Sequence, residues 1–90
     1  MLTPGFSNQF ERDVKRMQKR WKDMEKLKIL IRSLVAEETL DAIHREHKLL
    51  GNWKGRRECR LESDWLLIYK IEPGRIVFER TGTHSDLFKR

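Results

Sequence analysis

The chain has 90 residues, which is enough for one compact core and too few for two, so residues 1–90 are expected to form a single domain. Lys and Arg number 20 against 14 Asp and Glu, and the resulting net charge of +6 favours a polyanionic partner such as nucleic acid or an acidic protein. A single cysteine, Cys59, excludes an internal disulfide, and without an export signal or a long apolar span the sequence predicts a cytoplasmic protein with no membrane contact.

The first 20 residues predict a short edge segment followed by a helix. Residues 1–4 contain a proline, which a sheet tolerates at its edge, so they are a candidate edge strand. Ser7 is a suitable N-cap for an amphipathic helix from about residue 8 to residue 20. Its apolar stripe comprises Phe6, Phe10, Val14, Met17 and Trp21.

A second helix is predicted after a change of direction in residues 19–23. Asp23 can cap this helix, and its lysine-rich side is interpreted as solvated, with a contribution to an RNA-binding surface as the alternative. The two helices are expected to form a hairpin laid on a sheet. The apolar face of the second helix comprises Leu27, Leu30, Ile31, Leu34 and Val35.

Residues 37–54 predict a loop that contains two histidines. The pattern His44-Arg45-Glu46-His47 is one residue short of both zinc-protease patterns, and no other cysteine or histidine cluster lies nearby, so neither a metal nor a cofactor is expected. His44 is interpreted as an exposed loop residue, and His47 is a candidate proton carrier. Leu40 and Ile43 are expected to tuck under the helices.

Residues 55–88 predict a three-stranded meander and a short C-terminal turn. In the first strand, alternation places Cys59 in the core and directs Arg56 and Arg60 to the opposite face. Residues 65–71 are apolar enough for a central strand, Pro73-Gly74 predicts a turn, and residues 75–81 form the last strand. Strict alternation would place Arg80 on the same face as Ile76 and Phe78.

The candidate chemistry is RNA cleavage, because RNA carries its own nucleophile in the 2′-hydroxyl group. A protein then needs to move two protons and to stabilise charge on the phosphate, which histidine, carboxylate and arginine can do without a metal or cofactor. Matching side chains are Arg60 and Arg80 for phosphate, His47 and His84 for protons, and Asp64 for orienting or accepting a proton.

Four segments carry a resemblance that spans residues 10–88: DVKRMQKRWKDMEKLK, EHKLLGNWKGRREC, SDWLLIYKI and FERTGTHSDLF. With these segments the chain resembles the YafQ branch of the RelE/ParE toxin superfamily. The resemblance implies an α+β fold in which an N-terminal helix hairpin packs on a small curved antiparallel β-sheet. It also implies a toxin of a type II toxin–antitoxin pair that acts as a ribosome-dependent endoribonuclease on messenger RNA.

The resemblance assigns roles to eight positions of this sequence. The catalytic residues it implies are His47, Asp64, Arg80 and His84. The residues expected to bind substrate are Lys54, Arg56, Arg60 and Phe88. Phe88 could stack on a base, an interaction typically worth about 1–3 kcal/mol.

One position departs from the family pattern. Relatives usually have a histidine where this chain has Arg60, and arginine cannot act as a general base at physiological pH. The implied partners are a cognate antitoxin, messenger RNA and the ribosome, with operator DNA bound only through the antitoxin. Two alternatives remain open: a ParE-like toxin that inhibits gyrase, and a weakened variant that binds RNA or the ribosome.

Overall fold

A computed structural model describes residues 1–88 as a five-stranded sheet with two helices on one face. The strands are β1 (Thr3–Phe6), β2 (His47–Lys48), β3 (Arg57–Glu62), β4 (Trp65–Glu72) and β5 (Arg75–Gly82). The helices are α1 (Asn8–Lys19), α2 (Met24–Val35) and α3 (His84–Leu87), and single 3-10 turns span Ala42–His44 and Gly51–Trp53. None of the helices within residues 1–88 is long and apolar enough to cross a membrane.

The sheet has the strand order β1-β5-β4-β3-β2 and contains one parallel pair. Strands β3, β4 and β5 form the predicted antiparallel meander, and Gly74 takes a φ of 70° in its second turn. The predicted edge strand is present as β1, two residues later than residues 1–4, and it runs parallel to β5, so the otherwise antiparallel sheet is mixed. A parallel pair needs a long crossover between its strands, and the helices and the meander provide it here.

Both long helices begin at the predicted caps. The side chain of Ser7 accepts a hydrogen bond from the Phe10 amide, and the side chain of Asp23 accepts one from the Glu25 amide. Trp21 does not continue the apolar stripe of α1 as predicted, because the chain turns there with a φ of 62° and leaves this side chain 93% exposed. The main core joins helix and strand residues: Phe10, Met17, Leu27, Leu30, Leu34, Cys59, Trp65, Leu67, Tyr69, Ile76 and Phe78.

The central strand β4 is covered on both sides. We call the side beneath α1 and α2, which carries Trp65 and Tyr69, the inner face, and the side that carries Leu66 and Ile68 the outer face. The outer face has its own small core, in which Leu66 and Ile68 pack with Leu87. The side chains of Leu49, Trp53 and Phe88 border this second core.

A bulge in β5 changes the predicted orientation of Arg80. Tyr69 pairs with Phe78 and the preceding residue, Ile68, pairs with Arg80, so Glu79 is an extra residue without a partner in β4. Arg80 therefore lies beside Ile68 on the outer face and not with Ile76 and Phe78 as strict alternation predicted.

The loop before the sheet is fixed at a second bulge, in β3. The ring Nδ1 of His44 lies 2.5 Å from the carbonyl oxygen of Arg60, so His44 is half-buried and not the exposed residue that was expected. Leu40 packs against the main core as predicted, whereas Ile43 is 73% exposed and the prediction for it was wrong. The hydrogen bond between His44 and Arg60 fixes the loop to the sheet, so the loop does not depend on burial of Ile43 to stay in place.

Candidate active site

A contact between Asp64 and His84 joins two of the predicted catalytic residues. Asp64 lies in the turn between β3 and β4, and His84 is the first residue of α3. One oxygen of Asp64, Oδ1, accepts hydrogen bonds from the backbone amide of His84 at 2.9 Å and from its ring Nδ1 at 2.6 Å. These two bonds lower the pKa of Asp64 below its ordinary value, because both favour the ionised carboxylate.

This contact fixes which nitrogen of His84 is free to react. An ionised carboxylate can only accept, so Nδ1 carries a proton. Nε2, which has no partner among residues 1–88, is the atom that can take or give one. Both side chains remain accessible, with exposed fractions of 49% for His84 and 61% for Asp64. The pair therefore has the geometry of an oriented general acid or base.

The short helix that carries His84 is held by charge as well as by its cap. Thr83 and Asp86 form a reciprocal capping box, and the guanidinium group of Arg20 donates to the Asp86 carboxylate at 2.7 and 3.2 Å. The hydrogen bond from Arg20 is the largest cause of a strongly lowered Asp86 pKa. Helix α1 is therefore tied to α3, and this link sets the position of His84.

Strand pairing places two other predicted residues on one transverse row of the outer face. His47 pairs with Glu58, Glu58 with Ile68, and Ile68 with Arg80, so these four residues cross strands β2, β3, β4 and β5 in line. Because neighbouring strands lie about 4.8 Å apart, the backbones of His47 and Arg80 are separated by about 14 Å. The two residues share a face but lie at opposite ends of the row.

His47 is engaged by neighbours and not by the other predicted catalytic residues. Its Nδ1 lies 2.8 Å from the carbonyl oxygen of Arg45, and its Nε2 lies 3.3 Å from Oε1 of Glu58, a carboxylate that is 5% exposed. The structure therefore brings Asp64 and His84 into contact but leaves His47 at the edge of the sheet. The burial of Glu58 was not predicted. It arises because Glu58 pairs with Ile68, which is itself buried on the outer face.

Arg80 is held by a carboxylate that the sequence analysis missed. Asp13 of α1 is completely buried and accepts hydrogen bonds from Nε of Arg80 at 2.7 Å and from Nη2 at 3.3 Å. The signal was present in the sequence, since Phe10, Asp13 and Met17 recur at helical spacing within the buried stripe of α1. An acidic residue in an apolar stripe requires partners, and Arg80 is one of them.

The residues predicted to bind substrate differ in how much of their charge is already paired. Arg56 donates to Glu79 at 2.8 Å, whereas the side chains of Lys54 and Arg60 have no hydrogen-bond or ion-pair partner within residues 1–88. Arg60 belongs to the outer-face row next to that of Arg80, because it pairs with Leu66 and Leu66 pairs with Gly82. Its guanidinium group is therefore an outer-face cation without a partner in residues 1–88, although its Nε atom is buried.

Phe88 provides an aromatic surface beside His84. Its ring lies 6.4 Å from that of His84 and 5.9 Å from that of Trp53, measured between centroids. The side chain is half-buried, so part of the ring faces solvent. A half-buried aromatic ring next to the proton carrier is suitable for stacking a nucleotide base.

Cys59 takes no part in this arrangement. Cys59 is fully buried, as predicted, and burial strongly raises the pKa of its thiol, so it is unsuited to act as a nucleophile. Among residues 1–88 there is no group of three or more His, Cys, Asp or Glu side chains placed to hold a metal ion.

Comparisons with known proteins identify the family of this chain. The profile of a family described as bacterial toxins of type II toxin–antitoxin systems, YafQ, matches residues 2–89. The mRNA interferase toxin YafQ of Escherichia coli K12 is 49% identical over 84 residues, which cover 92% of this chain and 91% of the relative.

Two solved structures extend the likeness to the fold. The crystal structure of YafQ from E. coli BL21(DE3) has a TM-score of 0.93 and 45% identity, and the match covers 98% of this chain and 99% of that one. In the E. coli DinJ–YafQ toxin–antitoxin complex, the matching chain has a TM-score of 0.90 and 46% identity, with 97% of each chain covered. These matches confirm the resemblance that the four sequence segments predicted, and the chain belongs to the YafQ family of toxins from type II toxin–antitoxin systems.

Proposed function

We propose that this chain is an mRNA interferase, an endoribonuclease that cuts messenger RNA on the ribosome, and that it is the toxin of a type II toxin–antitoxin pair. The proposal is supported by the 49% identity to a relative that carries the name mRNA interferase toxin. It is supported independently by the outer face, where an oriented imidazole, two arginines and an aromatic ring occur together. The observation that carries it is the 2.6 Å contact of His84 with Asp64.

The proposed reaction is attack of the 2′-hydroxyl oxygen on the adjacent phosphorus. A new O–P bond forms, the bond from phosphorus to the 5′-oxygen breaks, and the products are a 2′,3′-cyclic phosphate and a 5′-hydroxyl. One proton leaves the 2′-hydroxyl and one reaches the departing 5′-oxygen, so no water, metal or redox partner is consumed. Nε2 of His84 carries out one of these transfers, and Asp64 holds the ring and stabilises its positive charge.

Arg80 stabilises the negative charge that develops on the phosphate oxygens. Arginine is suited to this role because its planar guanidinium group makes two parallel hydrogen bonds to an anion. Arg80 is one outer-face row and two strands away from Arg60, so their backbones are about 12 Å apart. With their long side chains, both cations can border the same stretch of RNA backbone.

His47 is assigned to the second proton transfer or to the flanking nucleotide. Its pairing with Glu58 and its distance of about 14 Å from the backbone of Arg80 make it the weaker of the two histidine candidates. Lys54 and Arg56 extend the basic surface along the same side, and Phe88 stacks on a base next to His84.

A weakened variant is the second candidate, and Arg60 is the observation that favours it. The resemblance expects a histidine at this position, and arginine cannot accept a proton at neutral pH. In the weakened form the chain would bind the ribosome and its message through the same outer face but would cut slowly.

The implied partner is an antitoxin protein that covers the basic outer face. A related toxin was solved in the E. coli DinJ–YafQ toxin–antitoxin complex, and the net charge of +6 suits acidic side chains on such a partner. Operator DNA would be bound through the antitoxin and not by this chain. Because ribosomes and messages are its targets, the proposed location is the cytoplasm.

Primer extension on a translated message tests the function. The wild type is expected to produce discrete cuts that His84→Ala loses and that His47→Ala reduces less. Intact messages together with inhibited gyrase supercoiling would instead assign the chain to the gyrase-directed toxins. The chain would instead be the weakened form if it binds the ribosome without cutting the message and if Arg60→His restores cutting.

A further inference from the structure

The carboxylate of Asp13 collects more donors than a single ion pair provides. Besides Arg80, it accepts from the backbone amide of Thr81 at 3.1 Å, from Nη2 of Arg16 at 2.7 Å and from Nε2 of Gln9 at 3.1 Å. The residue is fully buried, so these bonds replace the water that an ionised carboxylate would otherwise require. Two of the donors are guanidinium groups, which converge on this one side chain.

Part of this arrangement serves the fold. Strand β1 ends at Phe6, while β5 continues to Gly82, so the last residues of β5 lack a neighbouring strand on that side. The amide of Thr81 is satisfied by Asp13 in place of a strand partner. A neutral amide or hydroxyl acceptor could satisfy this single donor, so closing the strand edge does not explain why two arginines are gathered there.

The geometry of the Arg80 contact leaves its anion-binding edge open. Asp13 occupies the edge of the guanidinium group formed by Nε and Nη2. The other edge, formed by Nη1 and the second Nη2 hydrogen, has no partner within residues 1–88. Because a guanidinium group presents two such edges, one can be held by a carboxylate while the other binds phosphate bidentately.

Arg16 shares the same carboxylate oxygen and is only partly neutralised. Its Nη2 lies 2.7 Å from Oδ1 of Asp13, its side chain is 38% exposed, and its buried Nε has no hydrogen-bond partner within residues 1–88. Its charge also contributes to lowering the pKa of Asp86 in α3, so the group lies toward the helix that carries His84. One carboxylate between two arginines leaves one positive charge uncompensated.

We propose that Asp13 is a positioning residue that holds Arg80 and Arg16 as a two-guanidinium clamp for the phosphate of the message, with Arg16 as a second arm that binds substrate. This inference rests on the proposed function and names two further residues for it. The clamp lies at the end of β5, between the outer face and α1, where the chain passes from Arg80 to His84.

The inference makes a prediction opposite to that of simple charge counting. Removing a carboxylate raises the net positive charge, which by itself should strengthen binding of RNA. If Asp13 positions the arginines, Asp13→Asn should instead weaken cleavage, because both guanidinium groups lose their fixed orientation. Asp23→Asn is the matched control, since it removes the same charge at an exposed helix cap where Asn is equally suitable.

The test measures single-turnover cleavage of ribosome-bound message at several toxin concentrations, together with the melting temperature of each variant. Asp13→Asn and Arg16→Gln are each expected to lower the rate constant by about tenfold, the equivalent of one charge-assisted hydrogen bond. Asp23→Asn and Arg12→Gln, the latter an exposed arginine on the same helix, are expected to cleave as the wild type does. In an Arg80→Gln background, the loss caused by Asp13→Asn is expected to shrink several-fold.

A purely structural role gives a different pattern. Asp13→Asn would then lower activity only in proportion to the unfolded fraction, and equally in both backgrounds, which would overturn the inference. Arg16→Gln with wild-type cleavage would also overturn it, and this variant remains informative if Asp13→Asn does not fold. If the wild type itself leaves messages intact, the proposed function fails. If the wild type cuts and Asp13→Asn and Arg16→Gln cut equally well, only the clamp is rejected.

Discussion

Asp64 binds His84 through one oxygen that accepts from both the backbone amide and the ring Nδ1, at 2.9 and 2.6 Å. The hydrogen bond from the backbone amide fixes the start of helix α3, and the hydrogen bond from the ring fixes the orientation of the imidazole relative to that helix. A turn between two strands thereby orients a side chain that is 20 residues away in sequence.

Asp64→Asn is expected to slow cleavage by about ten- to a hundredfold, the equivalent of about 1.4–2.7 kcal/mol of transition-state stabilisation. The amide oxygen can still accept from His84, but it carries no charge to stabilise a protonated ring. Single-turnover cleavage of ribosome-bound message measures the effect, with Asp41→Asn in the distant loop as the charge-matched control. Wild-type rates for Asp64→Asn would show that the contact is only structural.

Arg60→His is expected to raise the rate of cleavage. The side chain at this position lies on the outer face, one row from Arg80, and Arg60 has no partner within residues 1–88 that a substitution would break. A histidine there could exchange a proton at neutral pH, which arginine cannot. Arg60→Gln is the control, because it removes the charge without adding a base, and an equal rate for both variants would contradict the interpretation.

The Arg20–Asp86 link is expected to make stability depend on pH. Since the pKa of Asp86 is depressed in the folded state, its contribution is complete above the ordinary value of 3.8 and is lost as the pH falls through the folded value. Asp86→Asn should therefore lower the free energy of unfolding by about 1 kcal/mol at pH 7, with the difference from wild type narrowing below about pH 4. Urea titrations of wild type and Asp86→Asn at pH 7 and below about pH 4 measure the difference in the free energy of unfolding. Glu11→Gln, an exposed change in α1, should show no such narrowing.

Cys59 is expected to resist thiol reagents as long as the protein is folded. Its side chain is fully buried and burial raises the pKa of the thiol, so little thiolate is present and none is accessible. Reaction with a chromogenic disulfide should be absent in buffer and should reach one thiol per chain in guanidinium chloride. Rapid labelling of the native protein would show that this part of the core opens.

Local signals in the sequence predicted most of the fold. Ser7 and Asp23 cap the helices where expected, and the apolar run that begins at Trp65 is the central strand. The orientation of Arg80 could not be predicted, because a bulge reverses alternation and its position depends on pairing with β4. The parallel pairing of β1 was missed for the same reason, since it depends on a partner more than 70 residues away.

Prediction of the site depended on a different kind of information. The residue types suited to phosphate and proton transfer were visible, but the contact between Asp64 and His84 required the turn and the last helix to meet. Asp13 was overlooked because an aspartate on a helix usually faces solvent, although its place within a buried stripe was a usable signal. The separation of His47 from Arg80 follows from the short edge strand β2, which sequence patterns did not predict.

The most direct test of the account is the chemistry of the cut ends. A message that carries a single 2′-deoxynucleotide at the mapped cut should remain intact, while the matching all-ribose message should yield a 2′,3′-cyclic phosphate and a 5′-hydroxyl. Cleavage of the deoxy-substituted message at the wild-type rate, or a 5′-phosphate at the new end, would contradict attack by the 2′-hydroxyl at this site.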